Sequence, residues 1–200
     1  MNTRFTQFNR INCFVFLKKL LIKYKLVIRF ILTFLLVYIL LSLSYKFYLD
    51  FSKYTKFYPD YITHLVAKQI EHLIGDLGYD VHVVPHPDEP SMKLIINKKF
   101  VARIIEGCNS ISVIIMFASF IVAFSGRLKQ TVMFLFSGCV LIYVVNLFRI
   151  VILSIGLYHY PWRREILHTV IFPAIIYGMV FFLWMIWVRH FATINRKQNE

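Results

Sequence analysis

A chain of 200 residues that is 58% hydrophobic and 18% aromatic departs from an ordinary soluble domain, which is roughly 45–50% apolar with about a quarter of its residues charged. The formal charge of +13 invites a nucleic-acid reading, but the basic residues sit beside apolar runs and no zinc-finger, RRM or helix-turn-helix pattern accompanies them. Nucleic acid is therefore excluded as the partner of that charge. A wholly soluble chain is excluded by several apolar runs near the roughly 20 residues that cross a bilayer.

Residues 1–26 form a basic tail. Arg4, Arg10, Lys18, Lys19, Lys23 and Lys25, with Arg29 at the start of the first apolar run, all precede the first acidic residue, Asp50. Such a tail contacts anionic lipid and stays in the cytosol. The first span is predicted over residues 27–45. A cleavable signal peptide, cut near Ser42-Leu43-Ser44, is the competing account. The apolar run exceeds the roughly 7–15-residue core of such a peptide, so the reading is an uncleaved anchor.

Residues 46–107 form an extracytoplasmic segment in which acidic and basic side chains balance. Tyr61 to Leu73 has helical apolar spacing through Ile62, Leu65, Val66, Ile70 and Leu73, with Gly75 and Gly78 placed to end it. Val81–Val84 and Leu94–Ile96 read as short strands, separated by Pro85, Pro87 and Pro90.

Residues 108–188 carry three further predicted spans. The second runs from about Cys108 to Phe124 and is closed by Gly126-Arg127-Leu128-Lys129. The third runs from Thr131 to Tyr158, interrupted by Asn146 and Arg149. The fourth runs from about His168 to Val188, with Trp184 and Trp187 near Arg189. Residues 189–200 form a cytosolic tail. Arg163 and Arg164, in the outer hairpin loop, run against the positive-inside rule. The expected fold is an all-α multi-pass membrane protein of the cell (inner) membrane. It has about four transmembrane helices and a small α+β extracytoplasmic segment between the first and second.

The three cysteines fall in different places: Cys13 in the cytosolic tail, Cys139 in mid-span, and Cys108 alone at the outer face. Cys108 thus has no intramolecular partner there, which leaves a reactive thiol, an intermolecular bridge or a small buried residue. At about 1.5 Å per residue, Cys108 stands roughly 27 Å above Gly126, Arg149 roughly 27 Å above Thr131, and His168 roughly 30 Å above Val188. One stratum at the outer edge therefore holds a thiol, a guanidinium and an imidazole. Snorkelling to headgroups is the plain account of Arg149, and an interfacial residue that of His168. The chemistry that uses all three is acyl transfer, in which a thiolate attacks a carbonyl, an imidazole moves protons and a cation stabilises the anion. The predicted start of a helix at Cys108 would favour that thiolate.

Glu106-Gly107-Cys108-Asn109-Ser110, Asn146-Leu147-Phe148-Arg149-Ile150 and His168 before a final span resemble the exosortase/archaeosortase family, most closely the short exosortase F type. The resemblance covers roughly Phe100 to Val188. It implies an integral-membrane cysteine transpeptidase or protease acting on exported proteins with a C-terminal hydrophobic sorting signal. It further implies Cys108 as nucleophile, Arg149 as transition-state stabiliser and His168 as proton carrier. Many members have a Cys-Ser-Gly-like motif where this chain reads Cys108-Asn109-Ser110, and many have about eight spans.

No cofactor or metal is expected. An outer-face metal site drawn from His64, His72, His82, His86, His159 and His168 is the competing enzyme reading, and the chain contains no His-Glu-x-x-His. The non-catalytic alternative is a membrane scaffold or assembly factor of an export or surface-polymer system, in which Cys108 is dispensable.

Overall fold

The computed structural model describes residues 23–52, 59–124 and 127–198. The tail over 1–22 with Cys13, and Gly126, lie outside the described residues, as does the side chain of His168. The first helix, α1 (Lys25–Ser52), is long and apolar enough to cross a membrane, and none of its apolar window is buried. Phe30 packs on Phe120 and Phe124, while Leu26, Leu32, Leu36 and Leu40 stay exposed, as expected of a helix with one face to lipid.

After α1 comes α2 (Tyr61–Asp76), longer at its C-terminal end than the apolar spacing indicated. Asp60, fully buried, caps it by accepting from the Ile62 and Thr63 amides at 3.0 Å. The chain then forms β1 (Val81–Pro85), β2 (Ser91–Ile96) and β3 (Lys99–Ile105), an antiparallel sheet in the order β1-β2-β3. β1 and β2 extend the predicted strands, and β3 was not expected. The β2–β3 turn places both Asn97 and Lys98 at positive φ (47° and 64°), the conformation a two-residue hairpin requires.

Val66, Ala67, Ile70 and Ile74 of α2 pack on Met92, Leu94, Ile96 and Ile104 of the sheet. Glu71 ties the two layers: one carboxylate oxygen accepts from the Val83 amide at 2.8 Å and the other from Lys68 Nζ at 2.7 Å. Burial alone would raise the Glu71 carboxyl, but these two bonds and the Lys68 charge outweigh it and hold the group below its ordinary range.

Beyond the sheet lie α3 (Ile111–Ala123), α4 (Leu128–His159) and α5 (Phe172–Gln198). A 3-10 turn (Pro161–Arg163), one helical turn (Arg164–Ile166) and a π-helical segment (Leu167–Ile171) lead into α5. Pro173 accounts for the widening, because its ring displaces the carbonyl four residues back and offers it no N–H. Three helices among the described residues are long and apolar enough to cross a membrane: α1, α4 and the stretch Thr169–Arg189. The predicted second span is shorter than expected, since α3 has only 13 residues.

Contacts place the ends of α3 beside the other helices. At one end the Asn109 amide reaches Tyr45 of α1. At the other, the Phe124 ring lies tilted against Phe30 of α1, and the Phe124 carbonyl accepts from Trp187 of α5. Tyr45 and Phe30 are about 22 Å apart along their helix, less than the roughly 30 Å of a hydrocarbon layer. Phe117, Ile121, Ile142, Val180, Leu183 and Trp187 form the bundle core. Gly138 of α4 lets the Phe117 ring lie against its backbone, and a Cβ there would collide with that ring. Small residues serve this purpose where helices pack in lipid.

Candidate active site

Cys108 does not open a helix. It closes the 3-10 turn Glu106–Cys108, three residues before α3 starts. It therefore lies outside the first turn of α3, where a helix dipole acts. What fixes the cysteine is its neighbours. Asn146 of α4, 1% exposed, donates from Nδ2 to the Cys108 carbonyl at 2.7 Å. Asn109 donates to the Tyr45 hydroxyl at 2.6 Å and to Thr63 Oγ1 at 3.2 Å, and its Oδ1 accepts from the Ile111 amide at 3.1 Å. The dipeptide Cys108-Asn109 therefore joins α1, α2, α3 and α4.

Ser110 follows at φ 64°, ψ −4°. This left-handed conformation favours glycine, which gives a physical reason for glycine in the related Cys-Ser-Gly motif. Ser110 partly compensates by donating from its hydroxyl to the Asn109 carbonyl at 2.6 Å.

A cavity of about 660 Å³ holds both Cys108 and Arg149 in its lining. The sheet contributes Val101 to Ile105 of β3. From α4 come Ile150, Leu153, Ser154 and Leu157, and from α5 comes Pro173. The Arg149 guanidinium lies within electrostatic range of the Cys108 thiol and the Tyr177 phenol, and its Nε is buried without a hydrogen-bond partner. A buried donor in that condition has capacity for an incoming acceptor. Glu89, from the β1–β2 turn, and Arg103, from β3, pair at the wall of the same cavity.

His168 lies in the π-helical segment, five residues before the cavity-lining Pro173. Of the other histidines, His82 faces Asp80 at 3.3 Å, His86 accepts from the Asp88 amide and His159 bonds the Tyr79 hydroxyl at 3.0 Å. Among the described residues no three His, Cys, Asp or Glu side chains gather as metal ligands. Cys108 and Cys139 are both free thiols, the former in the cavity and the latter against the bundle core.

Asn146, Asn109 and Tyr45 were not singled out for a role from sequence. The Asn-x-x-Arg spacing was visible, but nothing in it said that the asparagine holds the cysteine backbone while the arginine lines the cavity.

Fold and cavity define a helical membrane protein with a thiol and a guanidinium in one cleft beneath a small sheet. The chain matches the transmembrane exosortase (EpsH) family over residues 5–189 and belongs to that family. Membership implies a membrane-embedded enzyme of the transpeptidase type. No curated protein and no solved structure matches the chain.

Proposed function

We propose that the protein is a membrane cysteine transpeptidase or protease of the short exosortase F type, cleaving a C-terminal sorting signal from exported proteins through a thioester. The observation that carries this is the shared cavity of Cys108 and Arg149 at one end of the membrane bundle. In this reading the Cys108 proton passes to His168 and the thiolate adds to the scissile carbonyl carbon. Arg149 faces the oxyanion. The C–N bond then breaks as His168 protonates the leaving amine, giving a thioester. Water or an amine attacks that thioester, its proton returns through His168, and the sulfur is released.

The site lies on the extracytoplasmic face in this reading. Support comes from Arg29, Arg127 and Arg189, which neighbour the Phe30–Phe124–Trp187 contacts at the end of the bundle away from the cavity; basic residues mark the cytosolic side. We take α3, together with the turns flanking it, as the fourth crossing. Residues 46–107 then form the extracytoplasmic unit and 108–188 the catalytic core.

The test is removal of the hydrophobic tail from a co-expressed exported protein. Cys108→Ala abolishes it while the variant stays in the membrane, and His168→Ala is nearly as damaging. Arg149→Lys keeps the charge but loses the planar fork, and loses at least about tenfold. A snorkelling arginine tolerates that change. Tail removal persisting in Cys108→Ala, in cells lacking any related enzyme, would sink the proposal in favour of the scaffold reading.

A further inference from the structure

The cavity touches β3 in an unusual way. Val101, Ala102, Arg103, Ile104 and Ile105 all line it. Successive side chains of a strand point to opposite faces of its sheet, and although a bulge at Val101 breaks that alternation locally, a cavity over one face would meet only alternate residues of the regularly paired 102–105. Five consecutive residues meet one cavity when it runs along the strand's edge. That edge is open: the order β1-β2-β3 pairs one side of β3 with β2, and no strand among the described residues pairs with the other. Half of the backbone N–H and C=O groups of an edge strand point away from the sheet and can template another chain. Edge strands often carry charges that keep neighbours away. Here the charge in the middle of the edge, Arg103, is already paired with Glu89.

We propose that the outer edge of β3 is the docking strand for an extended segment of the protein substrate, which joins the sheet as a fourth strand and brings its scissile carbonyl to Cys108. The proposal deepens the cysteine-transpeptidase reading and rests on it. β3 ends at Ile105, three residues before the thiol, and five residues of strand cover about 17 Å of cleft. Backbone pairing supplies affinity and the facing wall supplies selection. That wall is the Ile150, Leu153, Leu157 stripe of α4, so the side chains it selects are apolar.

Chain direction follows from position. The β2–β3 turn lies at the far end of α4, where Asn97 bonds Tyr158 at 3.0 Å, and the β3 end lies at Asn146. β3 therefore descends toward the bundle over about 18 Å of α4. A substrate whose C-terminal tail enters the bilayer beside α5 descends the same way, parallel to β3.

The experiment uses the full chain in lipid nanodiscs with defined peptide probes. N-acetyl-Val-Ala-Val-Ala chloromethyl ketone alkylates Cys108 as the sulfur displaces chloride, and intact mass gives the rate. The expected rate is at least about tenfold above that of chloroacetone, which carries the same chloromethyl ketone but no peptide to pair. Single N-methylation of the peptide backbone removes the gain at alternate residues and spares those between. A second arm uses Cys108→Ala with the same peptide carrying a diazirine in place of the ketone, and the photolabel is expected on residues 101–105. A flat N-methylation profile, or a photolabel away from β3, overturns the docking proposal even when Cys108 reacts readily. A photolabel on β3 with an inert Cys108 supports docking and counts against the nucleophile.

Discussion

Replacing Asn146 with alanine separates holding the site together from holding the protein together. The side chain is 1% exposed and makes a 2.7 Å bond to the Cys108 carbonyl. Alanine removes the donor from the part-buried Cys108 carbonyl, which costs about 1–3 kcal/mol. A stability of about 5–15 kcal/mol absorbs that loss with nearly all molecules still folded. The effect on chemistry is larger, because a freed turn lets the thiol shift, and a misplacement of about 1 Å costs roughly a hundredfold in rate. The assay pairs thermal unfolding with tail removal per folded molecule. The expected result is a modest loss of stability and a processing loss near two orders of magnitude. Processing that falls only in step with the folded fraction would refute the reasoning and leave Asn146 as an ordinary packing residue.

Ser110→Gly is expected to stay within about 1 kcal/mol of the parent, since relief of the left-handed backbone offsets the lost hydroxyl bond and the added chain entropy, whereas Ser110→Val costs about 2 kcal/mol or more in unfolding measurements. Glu71 gives a pH prediction. Its carboxyl is held below its ordinary range, so the unfolded chain binds the proton first as pH falls. Its stabilising contribution is present above the unfolded-state value of about 4.3 and is lost as pH falls through the lowered folded-state value. Hydrogen exchange at the Val83 amide is expected to show that loss in the parent and not in Glu71→Gln, which at neutral pH is weaker by about 1 kcal/mol.

Legibility from sequence depended on how local the cause was. α1 and the last span follow from apolar runs, and α2 follows from its periodicity. β3 was missed because Asn97-Lys98 lacks the glycine that signals a tight hairpin, and both residues adopt positive φ regardless. The shortness of α3 was hidden as well. Cys108, Asn109 and Ser110 read as the start of an apolar run, yet buried polar partners on α1, α2 and α4 draw them into a turn. The shared cavity of Cys108 and Arg149 agrees with the motif order, whereas the helix-rise count for Cys108 does not apply, because residues 108–110 precede the helix. The cavity wall was not, because Glu89, Arg103 and Val101 reach it through strand pairing, which no helical count describes.

The same strand pairing explains why apolar sequence continues past Arg149, where a span ought to end. α4 has 32 residues, about 48 Å of helix against a hydrocarbon layer of about 30 Å. Its surplus is not lipid-facing throughout. Ile150 and Val151 are 5% exposed and belong to the core formed by α2 and the sheet. One helix thus serves two cores: its first half packs Ile142 against Phe117 and Val180, and its second half is a wall of the sheet layer. Arg149 stands between the two cores and lines the cleft there. A cation at that height has a cavity to face, and the same junction brings the Cys108 turn down from β3 to meet it.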